Sequence, residues 1–204
     1  MNSLIEQNCD AKVGAVILAG GLARRMGGVD KGLVEVAGKP MVKYALDILT
    51  PLVHSVVINA NRSVEEYKQF GVPVVLDTLS GHQGPLAGLS AGINALQCDY
   101  VVMCPCDSPF LQSELIQALM EGCIDNDADI AVPHDGERLQ PVFCVVQRRV
   151  EASLNAFLDA GERKIDRWFS NHTVHTLDAK AYAQSFLNVN TEEERLSAES
   201  AVMK

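Results

Sequence analysis

Residues 13–19, VGAVILA, form an unbroken apolar run rich in β-branched side chains that stops at Gly20-Gly21. A strand of this kind has no polar face to offer water, so both of its faces must be covered. The middle of a parallel sheet between two layers of helices meets that condition, and the order of elements downstream agrees with it. Pro40 stands at a first helical position, Met41, Val42, Ala45, Leu46 and Leu49 recur at three to four, and Pro51 follows, which predicts a helix. Residues 53–58 (VHSVVI) predict a strand, Ser63-x-x-Glu66 a capping box opening a short helix, and residues 72–76 (VPVVL) a third strand.

The alternation continues with a glycine-rich helix from about Leu86 to Leu96, a strand at 100–104 (YVVMC), a helix around 113–122 and strands near 129–132 and 142–146. The HDGER turn at 134–138 reads as a hairpin, adding an antiparallel element. An amphipathic helix near 148–159, the basic stretch GERKIDRW and a helix capped by Thr191-x-x-Glu194 complete the pattern. The expectation is a single α/β domain over 13–204 after an N-terminal extension at 1–12, with a mostly parallel sheet and helices on both faces.

Composition narrows the function. No apolar run approaches the roughly 20 residues of a membrane-spanning helix, so a soluble protein is expected. A formal charge of -9 and a pI near 5.0 oppose a general nucleic-acid or anionic-membrane surface, and confine an anionic small molecule to a locally basic pocket. The opening MNSLIEQNCD has no basic segment followed by an apolar one, which points to the cytoplasm. Six cysteines, without C-x-x-C and mostly in apolar runs, are expected as reduced core thiols.

In open parallel sheets, ligands gather at the carboxyl ends of strands. After the first strand comes GGLARRMGGVDKG (20–32), with four glycines before Lys31 and Arg24 and Arg25 among them. Such a loop can bring backbone N–H groups to phosphate oxygens while Lys31 supplies a compact positive charge. Five residues separate Gly21 from Gly27, which breaks a Walker A loop, and Gly20-Gly21-Leu22 breaks a G-x-G-x-x-G fingerprint.

The strand at 100–104 runs into PCDSP, where Asp107 is either a turn former or a hard oxygen ligand suited to Mg2+. Asn59 and Asp77 follow the second and third strands. They are either turn formers or readers of a purine or ribose, the Asp77 carboxylate accepting from a guanine N–H pair. The small residues of GPLAGLSAG (84–92) serve ligand approach or close helix–sheet packing equally well. His172 and His175 have metal-like spacing without an acidic or thiol partner nearby, and read as neutral surface histidines. Arg163, Lys164 and Arg167 form either a second anion site or a solvated helix face.

Taken together, LAGGLARRMGGVDKG, GPLAGLSAG, PCDSP, LQPVF around Gln140-Pro141 and NVNTEEE from Asn188 resemble the molybdenum cofactor guanylyltransferase family, across about residues 13–195. The resemblance implies a Rossmann-like nucleotidyltransferase fold and a reaction in which GTP and molybdenum-molybdopterin give a guanine dinucleotide cofactor and pyrophosphate. It places GTP against Leu18, Ala19, Gly20, Lys31, Asn59, Asp77 and Asp107, with Mg2+ on Asp107, and catalytic roles on Asp107, Lys31 and Arg25. Asn188 and Asn190 are implied to border the pterin. Transient contact with pterin-delivery proteins and molybdoenzyme chaperones is implied as well. Rival readings are a cytidylyltransferase, against which Gly20-Gly21 speaks, a sugar-phosphate nucleotidyltransferase, and a nucleotide carrier without turnover.

Overall fold

The computed structural model describes residues 11–19, 22–23, 29–78 and 84–202. Its centre is a seven-stranded sheet made of β1 (Val13–Leu18), β2 (Ser55–Asn59), β3 (Val74–Val75), β4 (Tyr100–Pro105), β5 (Ile130–His134), β6 (Cys144–Gln147) and β7 (Val174–Asp178). The order across the sheet is β7-β5-β6-β4-β1-β2-β3. β1 pairs in parallel with β2 on one side and β4 on the other, and β6 alone in this sheet runs antiparallel to its neighbours. The expected mostly parallel α/β sheet with an antiparallel element is present.

The VGAVIL run is buried on both faces because its side chains serve two separate cores. Ala15 and Ile17 pack with Val102 and Cys104 against α1 (Met41–Leu49) and α4 (Ser113–Asp125) through Val42, Leu46, Leu49, Leu115 and Leu119. Val16, with Val101 and Met103, meets α3 (Pro85–Ala95) and α5 (Glu151–Asp159) through Leu89, Ile93, Leu154 and Leu158. Alternation along each strand sorts the residues between the layers, and neither face reaches water. Three α-helices remain: the short α2 (Val64–Lys68) and α6 (Ile165–Phe169), and the 11-residue α7 (Glu192–Val202).

A third, smaller core joins the segment that follows Lys31 to the C-terminal segment. Val36 and Met41, beside the two-stranded ladder Glu35–Val36 with Lys39–Pro40, pack on Val189 and on Ala198 of α7. Arg195 of α7 reaches across to the Glu35 carbonyl, and Glu199 accepts from the Ala37 N–H. The C-terminal segment is thereby held against the residues that follow Lys31.

Several local expectations are corrected. The Ser63 capping box does not form, because Ser63 has a left-handed backbone (φ 49°) where a capping residue needs an extended one, and its side chain caps nothing. Pro40 precedes α1 as its cap rather than opening it. The third strand shrinks to two residues, and β7 and α6 lie where the sequence was read as a basic stretch and a pair of surface histidines. His172 is largely buried: its Nε2 lies 3.0 Å from Ser153 Oγ and its ring packs edge-on against Trp168. The HDGER hairpin is present, with a His134–Leu139 bridge and a Gln140 side chain that donates to Asp135.

Cys98, Cys104, Cys106, Cys123 and Cys144 are buried free thiols, as expected, and Cys9 lies outside the described residues. Burial pushes the Cys104 and Cys123 thiols up to about 12. Among the described residues no helix is long and apolar enough to cross a membrane.

Candidate functional site

β1 divides the connections of the parallel sheet: the chain moves from it to β2 and β3 on one side and to β4 on the other. At such a point the loops leaving adjacent strands diverge and open a crevice at their carboxyl ends. Leu18 stands in register with both Asn59 and Pro105 there. The Ala19 N–H donates to the Asn59 carbonyl at 2.8 Å, and the Cys106 N–H donates to the Leu18 carbonyl at 3.0 Å. The end of β1 is therefore tied to both sides of the crevice.

On the β2 side, the Asn59 amide donates to Asp77 Oδ1 at 2.9 Å and lies 3.3 Å from the Val75 carbonyl. Asn61, which sequence reasoning missed, donates to Asp77 Oδ2 at 2.8 Å and accepts the Asp77 N–H. Asp77 is thus held by two amides on a rigid strand end. Two glycines of GPLAGLSAG serve close packing: a Cβ at Gly92 would stand 2.6 Å from Val16, and one at Gly88 would stand 2.4 Å from Asn59 Oδ1. Gly88 nevertheless bears on the site, since it makes the space in which Asn59 sits.

On the β4 side, Asp107 is 8% exposed, and its Oδ2 accepts from the Lys31 ammonium at 3.1 Å. Lys31 also donates to Asn190 Oδ1. The segment 188–190 lies along the PCDSP turn: the Val189 N–H donates to the Asp107 carbonyl at 2.9 Å, and Ser108 Oγ donates to Asn188 Oδ1 at 2.7 Å. Of the two residues read from sequence on the pterin side, Asn190 thus meets Lys31 and Asn188 meets Ser108, the residue after Asp107. Gly20 and Arg25 lie outside the described residues.

Asp107 Oδ1 is buried and has no hydrogen-bond partner. A carboxylate oxygen that has left water without gaining a donor is costly, and a hard cation satisfies it. Among the described residues no group of three acidic, thiol or imidazole side chains is arranged to hold a metal. One carboxylate completed by phosphates and water suits Mg2+ better than a closed protein cage does. Around this point Cys106 is buried, and burial with the charge of Asp107 drives its thiol well above the ordinary range, leaving it inert.

The sequence also missed Asp30 and Tyr67. Tyr67 of α2 is fully buried, and its hydroxyl donates to Asp30 Oδ1 at 2.6 Å. Burial raises the Asp30 pKa against that hydrogen bond, and Asp30 Oδ2 has no partner. In the basic stretch after α5, Arg163 donates to the Leu158 and Glu162 carbonyls, and Arg167, mostly exposed, pairs with Glu162.

Residues 15–176 match the model of the MobA-like NTP transferase domain. The chain is 45% identical over 191 residues to the molybdenum cofactor guanylyltransferase of Shewanella loihica, covering 94% of this chain and 97% of that protein. Its fold superposes on molybdopterin-guanine dinucleotide biosynthesis protein A of Archaeoglobus fulgidus with a TM-score of 0.78 at 22% identity, covering 93% and 98% of the two chains. It also superposes on the 2-C-methyl-D-erythritol 4-phosphate cytidylyltransferase of Thermus thermophilus, with a TM-score of 0.72 at 14% identity over 95% and 100%. A nucleotidyltransferase fold carrying this identity along nearly its whole length places the chain in the molybdenum cofactor guanylyltransferase family.

Proposed function

We propose that this protein transfers GMP from GTP to the terminal phosphate of molybdenum-molybdopterin, giving molybdopterin guanine dinucleotide cofactor and pyrophosphate, in the cytoplasm. The observation that carries the reading is the meeting of Lys31, Asp107 and Asn190 at the end of β1. Family membership supplies the two substrates.

An oxygen of the acceptor phosphate attacks the α-phosphorus of GTP. The new P–O bond forms as the bond to the bridging oxygen breaks, and that oxygen leaves with the β- and γ-phosphates as pyrophosphate. The acceptor is a phosphate monoester already ionised near neutral pH, so no side chain has to remove a proton from it. What the site must do is bring two anions together and hold them in line.

Lys31 has three N–H donors, of which Asp107 and Asn190 engage two, leaving the third for a phosphate oxygen. Asp107 Oδ1 is the group that would hold Mg2+, which when bound offsets charge on the triphosphate. Arg25, in the glycine-rich loop, adds a second cation for the phosphates. Asn59 and Asp77 would fix the guanosine on the β2 side, so that the nucleotide spans β2, β1 and β4, about 10 Å at ordinary strand spacing. Asn188, bonded to Ser108, would border the acceptor.

The test incubates the protein with Mg2+, molybdenum-loaded molybdopterin and either GTP or CTP, and follows pyrophosphate and the nucleotide on the product. Label from GTP with little from CTP is the expected result. Transfer from CTP alone would overturn the base assignment, and GTP binding without transfer would point to a carrier.

A further inference from the structure

The Tyr67 hydroxyl contacts both flanks of the glycine-rich loop and the residue beyond Lys31. It donates to Asp30 Oδ1 at 2.6 Å, immediately before Lys31, and lies 3.4 Å from the carbonyl of Ala19, where the loop leaves β1. On the far side of Lys31, a Cβ added to Gly32 would stand 2.5 Å from the same hydroxyl and 3.2 Å from Cys106 Sγ. Gly32 therefore allows an approach that any side chain would prevent. One oxygen atom is in contact with the residue that follows β1, with the loop exit and with the residue after Lys31.

Two further observations separate this arrangement from ordinary core packing. Asp30 is 5% exposed and keeps one carboxylate oxygen without a partner, so the pair sits there at a cost in solvation. The helix carrying Tyr67 is only five residues long and enters through a left-handed Ser63, so its position depends on what Tyr67 touches.

We propose that Tyr67 and Asp30 are positioning residues for Lys31: the hydroxyl–carboxylate bond sets the height of the Lys31 backbone above the end of β1, and with it the reach of the ammonium toward the phosphates of a nucleoside triphosphate. Neither residue touches substrate; both act through Lys31. The proposal rests on the nucleotidyl-transfer reading for the identity of the ligand.

The test is a double-mutant cycle with Tyr67→Phe and Lys31→Met, read as the dissociation constant of the Mg2+ complex of GTP or CTP, whichever the wild-type protein binds, by calorimetry. Tyr67→Phe is expected to weaken binding about tenfold in the wild-type background and to have no effect in Lys31→Met, because the two changes remove one function. Equal loss in both backgrounds, or none in the wild type, overturns the proposal. If Tyr67→Phe does not fold, Asp30→Asn replaces it in the cycle. It keeps an oxygen for the hydroxyl but makes the bond a neutral and weaker one, so a smaller loss, again confined to the background that retains Lys31, is expected. In either case the KM of the acceptor is expected to stay unchanged while kcat/KM for the nucleotide falls. A wild-type protein that binds nucleotide without transferring it would defeat the reaction reading and leave this cycle able to decide.

Discussion

Lys31 and Asn190 are 159 residues apart in the chain, yet the ammonium of one donates to the amide oxygen of the other. What holds Asn190 in place is the first turn of α7. Glu194 Oε2 accepts from the Asn190 N–H at 2.6 Å and from the Thr191 N–H at 3.0 Å, and the Glu194 N–H lies 3.2 Å from Thr191 Oγ1. The capping box read from Thr191-x-x-Glu194 therefore also orients a site residue.

Removing that cap should affect activity more than stability. Glu194→Ala is expected to cost about 1 kcal/mol of unfolding free energy, the usual value of a cap, while frayed residues 190–191 release Asn190 from Lys31. Chemical denaturation beside steady-state kinetics checks both. A variant with full turnover would show that Asn190 is positioned by other contacts.

Asp107→Asn is expected to fold and to lose transfer by about 10²–10³-fold, the range seen when one charge-stabilising group is removed from an active site. The amide keeps an oxygen for Lys31 but supplies a much poorer cation ligand. Circular dichroism establishes the fold, and pyrophosphate release is expected to reach half its maximum at a higher Mg2+ concentration than in the wild type.

Gly88→Ala tests the β2 side. Its new methyl group would collide with Asn59 Oδ1 and with Leu18 Cδ2, 2.6 Å away, so the amide must move off Asp77. We expect destabilisation of about 1–3 kcal/mol from overpacking and a raised KM for GTP. Gly92→Ala, set against Val16, is expected to destabilise without changing KM, and the comparison separates the two effects.

Acid stability should report on Asp129, far from the site at the start of β5. Burial works against its charge, but the Arg149 guanidinium and the N–H and hydroxyl of Thr173 outweigh it, pulling the carboxyl from 3.8 to about 2. A carboxylate with a depressed folded-state pKa stabilises the fold above its ordinary value, and that contribution is lost as pH falls from about 4 to about 2. Denaturation midpoints across that window should fall less steeply for Asp129→Asn than for the wild type.

The parts of the fold legible in the sequence were those whose burial is complete. VGAVIL and YVVMC are continuous apolar runs because β1 and β4 are covered on both faces, and α1 is legible because one stripe of it is. β7 was not legible: VHTLD is half exposed and has only Val174 and Leu177 to mark it, so the segment around His175 reads as surface. It forms because β5 offers a free edge in register.

The same distinction holds in the site. Lys31, Asn59 and Asp107 follow obvious strands or a glycine-rich loop, and position alone pointed to them. Asn61 is placed by its pairing with Asp77, and Asp30 with Tyr67 by a contact between a loop and a short helix whose sequence signal, the capping box, was misleading. The link between Asn190 and Lys31 depends on α7 folding back over the ladder at 35–40, a long-range event with no local signature.

That return of α7 has a consequence for how the enzyme is made. All seven strands of the sheet lie before residue 179, so the sheet, with Asp107 in place, precedes in the chain the segment that brings Asn190 to Lys31. Competence would then be conferred last, by the segment that reaches back to Lys31. A chain cut near residue 185 would keep every strand of the sheet and lose Asn190 from Lys31 and Val189 and Ala198 from the third core.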